Sequence, residues 1–162
     1  MPIVNPKLYM ETSVVSYLAA RPSRDLVMAG HQQTTREWWE QRRKSFEIYA
    51  SQLVWDEASV GDPAAVRRRL RVLKPLRWLQ LRRDAVLLAK ALVDDGPVPP
   101  NAEADALHIA ISATHGMDFL LTWNFTHINN AATEESIKAV CAAHGFHCPV
   151  ICTPDELGEV LP

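Results

Sequence analysis

Three acids of this 162-residue chain stand where solvated acids usually do not. Glu11 follows "LYM", which reads as a short buried strand, and precedes "TSVVSYL", which reads as a helix. It is a full charge at the carboxyl end of a strand. Glu57 belongs to "SQLVWDEASVG". On a helix it lies one turn from Leu53 and from Val60 and shares their apolar face, whereas Asp56 lies with Gln52 and Ser59 and faces water. Asp105 belongs to "NAEADALHIAISATHG", apolar nearly all round, with a polar stripe of Asp105, His108, Ser112 and His115. Buried carboxylates are costly unless paired or metal-bound. Capping or a salt bridge would explain any one of these acids alone. Together they predict a shared cation site, and hard oxygen ligands without matched cysteines favour Mg²⁺ or Mn²⁺.

The surrounding elements must deliver these side chains. Strands are expected at Leu8–Met10 and within "FEIYAS", "RWLQL", "DFLLT" and "PVICT". Helices are expected at Thr12–Ala20 and Asp25–Lys44. Another runs from a Ser51 cap to about Val60, where Gly61 ends it, and the next from the Asp62-Pro63 start signal to Leu73. Further helices span Asp84–Val93, Ala102–His115 with Asn101 as cap and Gly116 as stop, and Thr133–His144. "TPDEL" opens a short final helix, with Thr153 and Glu156 at capping-box spacing. Strands alternating with helices predict an α/β sandwich, one domain over 1–162, around a mainly parallel sheet flanked by helices. Such sheets bind ligands beyond the carboxyl ends of their strands. Glu11 sits at one such end and Asn124 just past another.

Composition narrows the function classes. A net charge of -2 argues against a broadly basic nucleic-acid binder, yet "RRRLRVLKPLRWLQLRR", Arg67 to Arg83, holds eight basic residues and no acid. Arg67, Arg68, Arg69 and Arg71 are candidates for RNA phosphates; a solvated helix face is the competing explanation. No apolar run is long enough for a membrane span, and "MPIVNPKLYM" lacks the form of a signal peptide, so a cytoplasmic protein is expected. Three cysteines fit reduced thiols better than a disulfide framework.

"LYMETSVVSYL" resembles the opening of PIN-domain nucleases, where acid-Thr-Ser follows the first strand. "ADALHIAISATHGMDFLLTWNFTHI" is similar to their late helix–strand signature. The resemblance runs in order along nearly the whole chain and is closest to the VapC-type toxins of toxin–antitoxin pairs. It implies a PIN-like three-layer sandwich and a metal-dependent ribonuclease that hydrolyses RNA phosphodiesters to 5′-phosphate and 3′-hydroxyl ends. It implies Mg²⁺ or Mn²⁺ as cofactor, RNA as substrate, a cognate antitoxin and a homodimer as partners. Glu11 falls at the family's first acid, where aspartate is usual, and Glu57 and Asp105 at the second and third. Asn124 falls where a fourth acid is usual, so Glu11, Glu57, Asp105 and Asn124 are the expected catalytic and metal residues. Thr12, Ser13 and Thr122 are the expected supporting hydroxyls.

Other functions compete. Asn124 in place of an acid favours a PIN-like protein that binds RNA or a partner without cleaving it. Cys141, His144, His147, Cys148 and Cys152 could hold zinc, though their spacing does not match paired Cys-x-x-Cys modules. Ser112, His108 and Asp105 share one stripe, but no nucleophile elbow accompanies them. Of the adjacent Trp38 and Trp39, a helix cannot bury both on one narrow stripe, so one is expected on a dimer or antitoxin surface.

Overall fold

A computed structural model describes residue 2 and residues 4–157 of the protein. Five short strands form one sheet: β1 (Lys7–Met10), β2 (Glu47–Ser51), β3 (Arg77–Leu79), β4 (Phe119–Leu121) and β5 (Val150–Cys152). The order across the sheet is β3-β2-β1-β4-β5, and every pairing is parallel. Seven α-helices make the crossovers: α1 (Thr12–Ala19), α2 (Leu26–Arg42), α3 (Gln52–Ala58), α4 (Pro63–Leu73), α5 (Arg83–Asp94), α6 (Glu103–Thr114) and α7 (Glu134–Ala143). No helix among the described residues is long and apolar enough to cross a membrane.

The two central strands, β1 and β4, are buried on both faces. Leu8, Tyr9 and Met10 of β1 and Leu120 and Leu121 of β4 have no exposed surface, as expected for the middle of a parallel sheet. Helix α6 is apolar nearly all round and is accordingly buried from Ile109 to Ala113, packed along α5. Gly116, at φ 68°, reverses the chain after α6 so that β4 can begin three residues later.

The expected starts are largely the observed ones. Asp25, Ser51 and Asp62 each accept a backbone N–H three residues on, capping α2, α3 and α4. Asn101 does not cap α6. Pro99-Pro100 starts a short 3₁₀ turn, Pro100–Ala102, so Asn101 already lies inside it and the cap residue is Ala102. Helix α3 ends at Ala58 rather than at about Val60, and Val60 is 72% exposed, so Glu57 does not share a buried face with it. The Thr153–Glu156 capping box forms in both directions, but residues 154–156 are a turn, and any longer helix would lie outside the described residues. Trp38 is buried against Phe46, and Trp39 is half-buried with the Arg43 guanidinium over its ring, so of the two only Trp39 reaches the surface.

Two of the candidate RNA-binding arginines also tie helix ends together. Arg68 Nε donates to the Ala19 carbonyl at the end of α1 (2.9 Å). Arg69 donates to the Ala58 and Val60 carbonyls at the end of α3 (2.9 and 2.6 Å). They satisfy carbonyls that helix ends leave unpaired. Arg69→Ala should therefore lower stability by about 1–2 kcal/mol, read as a lower urea midpoint with an unchanged slope.

Candidate functional site

The strand order reverses direction at β1, with β2 on one side and β4 on the other. A crevice opens at such a point beyond the carboxyl ends of the strands. Glu11 follows β1 directly and is the N-cap of α1. Its carboxylate is buried, 6% exposed, and no lysine or arginine of the described residues pairs with it. Hydroxyl and amide donors hold it instead. Ser13 Oγ donates to Oε1 at 2.5 Å, Thr122 Oγ1 donates to the same oxygen at 2.6 Å, and Ser13 N–H donates to Oε2 at 2.9 Å. The two hydroxyls are themselves oriented from behind, because Trp123 N–H donates to Ser13 Oγ (2.8 Å) and Asn124 N–H to Thr122 Oγ1 (3.0 Å). Each hydroxyl has one proton, and the backbone donors force it toward Glu11.

Glu57 enters from α3. Thr12 Oγ1 donates to its Oε1 at 2.6 Å, and His108 Nε2 lies 2.6 Å from the same oxygen. His108, wholly buried on α6, also reaches back through Nδ1 to Tyr9 Oη (2.8 Å), which contacts Ser51 Oγ (2.8 Å). With the imidazole charged, Nδ1–H donates to Tyr9 and Tyr9 to Ser51; a neutral imidazole reverses both. Burial would raise the Glu57 carboxyl, but the hydrogen bond and charge of His108, aided by Thr12, hold it below the usual range. Burial would likewise lower His108, but the Glu57 hydrogen bond and the charges of Glu11, Glu57 and Asp105 carry it above an ordinary histidine. Burial pushes the Tyr9 phenol up, so it stays protonated.

Single ligand atoms of Glu11, Glu57 and His108 lie within 4.8 Å of one another, the one such group among the described residues. Asp105 stands outside that set but in the same crevice. Burial raises its carboxyl, the Asn124 side chain hydrogen-bonds it, and the charge of Glu11 raises it further. Asn124 does not offer its oxygen outward. Its Oδ1 accepts Thr126 N–H (3.1 Å) and His127 N–H (3.0 Å), which fixes the amide nitrogen as the group turned to Asp105. The expected metal oxygen at Asn124 is thus already used in a local turn.

The donor set fits a hard cation. Glu11 keeps lone pairs on Oε2, and Glu57 has Oε2 unengaged. Carboxylates held from behind by hydroxyls, amides and an imidazole, with no lysine or arginine paired to them, suit a divalent ion with waters completing its shell. The supporting group is larger than expected from sequence. Thr12 and Ser13 both act, on different acids, and Tyr9, Ser51 and His108 were missed. A signal existed for two of them: Tyr9 is two residues before Glu11 and so on its side of the strand, and His108 is one turn from Asp105. The zinc alternative has no support, since Cys141, Cys148 and Cys152 are buried free thiols and His144 and His147 are exposed apart from them. Ser112 donates to Ile109 O inside α6 and is no nucleophile. Asn130 ties its own loop, accepting Ala132 N–H and donating to Thr126 O.

No protein-family model matches the sequence, and no curated protein matches it significantly. Solved structures do. Mycobacterium tuberculosis VapC20, described as a sarcin–ricin loop cleaving toxin, superposes with a TM-score of 0.53 at 17% identity, covering 74% of this chain and 92% of that one. VapBC2 from Rickettsia felis, bound to a DNA fragment from its promoter, superposes with a TM-score of 0.56 at 15% identity, covering 90% of this chain and 98% of that one. At these identities the likeness is one of fold, and the fold is PIN-like.

Proposed function

We propose that this chain, as one PIN-like domain, is a divalent-metal-dependent ribonuclease and the toxin of a type II toxin–antitoxin pair. It would act on RNA in the cytoplasm, as a homodimer, and be held by a cognate antitoxin. The observation that carries this is the Glu11 carboxylate: buried at the reversal of strand order, braced by two hydroxyls and a backbone amide, unpaired with any cation, and facing Glu57 and His108. Structural acids are seldom provided for in this way without a ligand.

A bound Mg²⁺ or Mn²⁺ would supply a water of lowered pKa and neutralise charge on the phosphate. Glu11 and Glu57 would hold it through their free oxygens. Ser13 and Thr122 keep Glu11 in one rotamer, and Thr12 and His108 do the same for Glu57. Asp105, steadied by the Asn124 amide, adds a third negative charge that draws the cation in. The hydrolysis would form a bond from a water oxygen to phosphorus and break the bond from phosphorus to O3′, with one proton of the water ending on O3′, giving 5′-phosphate and 3′-hydroxyl ends.

Calorimetric titration with Mn²⁺ tests the site. Glu57→Gln should weaken binding by at least about tenfold, and Asp105→Ala by less, since Asp105 lies outside the tight ligand set. Equal binding by wild type and Glu57→Gln would remove the assignment. A second reading, a PIN-like protein that binds without cleaving, is favoured by the engaged oxygen of Asn124. Cleavage of an unstructured RNA that EDTA abolishes separates the two.

A further inference from the structure

Helix α4 and its C-cap carry three cations that the structure leaves free. Arg67, Arg71 and Lys74 are exposed, and among the described residues none pairs with a carboxylate or donates to a carbonyl, unlike Arg68 and Arg69 between them. Their spacing of four and three places them in one row along the helix. The row flanks a groove of about 380 Å³, whose apolar floor is Trp55 and Leu70. The Trp78 ring, on edge strand β3, packs on Trp55 with centroids 5.5 Å apart, yet remains 39% exposed. Trp55 is two residues, rather more than half a helical turn, from Glu57, so the groove lies on the flank of α3 away from the acid cluster.

We infer that this groove, lined by Arg67, Arg71, Lys74 and Trp55 and bordered through Trp55 by the exposed Trp78 ring, is a second binding site for single-stranded RNA, separate from the metal crevice. A row of unpaired cations beside an exposed aromatic face is what an unpaired polynucleotide requires: charge along its backbone, and a flat apolar surface on which a base can stack. A folded duplex would offer the phosphates but no free base. An acidic peptide would use the cations but leave Trp78 in water. The inference deepens the ribonuclease reading by giving the RNA a second point of attachment outside the crevice, and it rests on that reading.

The test uses the full chain in EDTA, where no cleavage occurs, and follows polyuridylate binding by tryptophan fluorescence and by competition. Trp78→Ala should weaken binding roughly tenfold or more, while Trp78→Phe should retain most of it. The double variant Arg67→Gln/Arg71→Gln, confined to exposed side chains, should flatten the slope of log affinity against log salt by about 1.4. In Mg²⁺, Trp78→Ala should raise KM for long RNA and leave kcat on a tetranucleotide unchanged. Unchanged polyuridylate affinity in both variants overturns the inference, as does polyglutamate competing as well as polyuridylate at equal charge. A wild type that binds polyuridylate through these residues but cleaves nothing in Mg²⁺ would sink the nuclease reading instead, because binding and cleavage are read separately.

Discussion

Glu11→Gln should reduce RNA cleavage by at least about a hundredfold while leaving the metal-free protein as stable as wild type, or more so. The two halves of this expectation come from the same geometry. The carboxylate contributes lone pairs to a cation, and an amide halves the number it can offer and removes the charge. In the absence of metal, however, Glu11 is a buried charge close to Glu57 and Asp105, whose charges act on the same neighbours. Like charges gathered in one crevice cost free energy. With the amide oxygen at the Oε1 position both hydroxyl hydrogen bonds are kept, and only the Ser13 N–H bond to Oε2 is lost. Thermal melts in EDTA and in Mn²⁺ check both halves. Wild type should gain on adding Mn²⁺ and the variant should not. A variant that melts well below wild type in EDTA would mean that Glu11 is chiefly the cap of α1 and that its charge serves the fold.

Asn124→Asp should have the opposite profile. An aspartate can keep the local turn, because one oxygen still accepts the Thr126 and His127 amides. Its other oxygen replaces the amide that now faces Asp105, turning a hydrogen bond into a repulsion. The metal-free protein should lose about 1–3 kcal/mol, a fall in Tm of several degrees for a chain of this size. With Mn²⁺ present the added charge becomes an attraction, so metal binding should tighten, the Tm deficit should shrink, and cleavage should rise. The check is a pair of melts with and without Mn²⁺, alongside the cleavage assay. If the variant melts no lower in EDTA and gains nothing from the metal, Asn124 acts only on its own loop and has no part in the cluster.

The fold could be read from sequence because its signals are local. "LYM" and "FLL" are continuous apolar runs that only a strand buried on both faces explains, and Asp62-Pro63 starts a helix by its own chemistry. Asp105 and Glu11 stood out for the same reason, as acids in apolar settings. What stayed hidden depends on partners distant in the chain. The Tyr9–His108 contact joins residues 99 apart, and Thr122 reaches Glu11 across 111. No spacing rule reports such pairs before the sheet order is known. Arg68 and Arg69 show the complementary difficulty. In sequence they cannot be told from Arg67 and Arg71, and only the carbonyls at the ends of α1 and α3 separate the two kinds.

The position of β1 has a consequence for the order in which the protein is made. β1 is translated first, yet it occupies the centre of the sheet, and one of its two neighbours, β4, begins only at Phe119. A chain still emerging from the ribosome can pair β1 with β2, but Glu11 then lacks Thr122, and Glu57 lacks His108 until α6 has been made and docked. Closing the contact between residues 11 and 122 is a late, long-range step. The acid cluster therefore does not exist on the nascent chain through most of its synthesis. Truncation before β4 should yield a polypeptide with all three acids but without Thr122 or the central β1–β4 pairing, and so with no assembled centre.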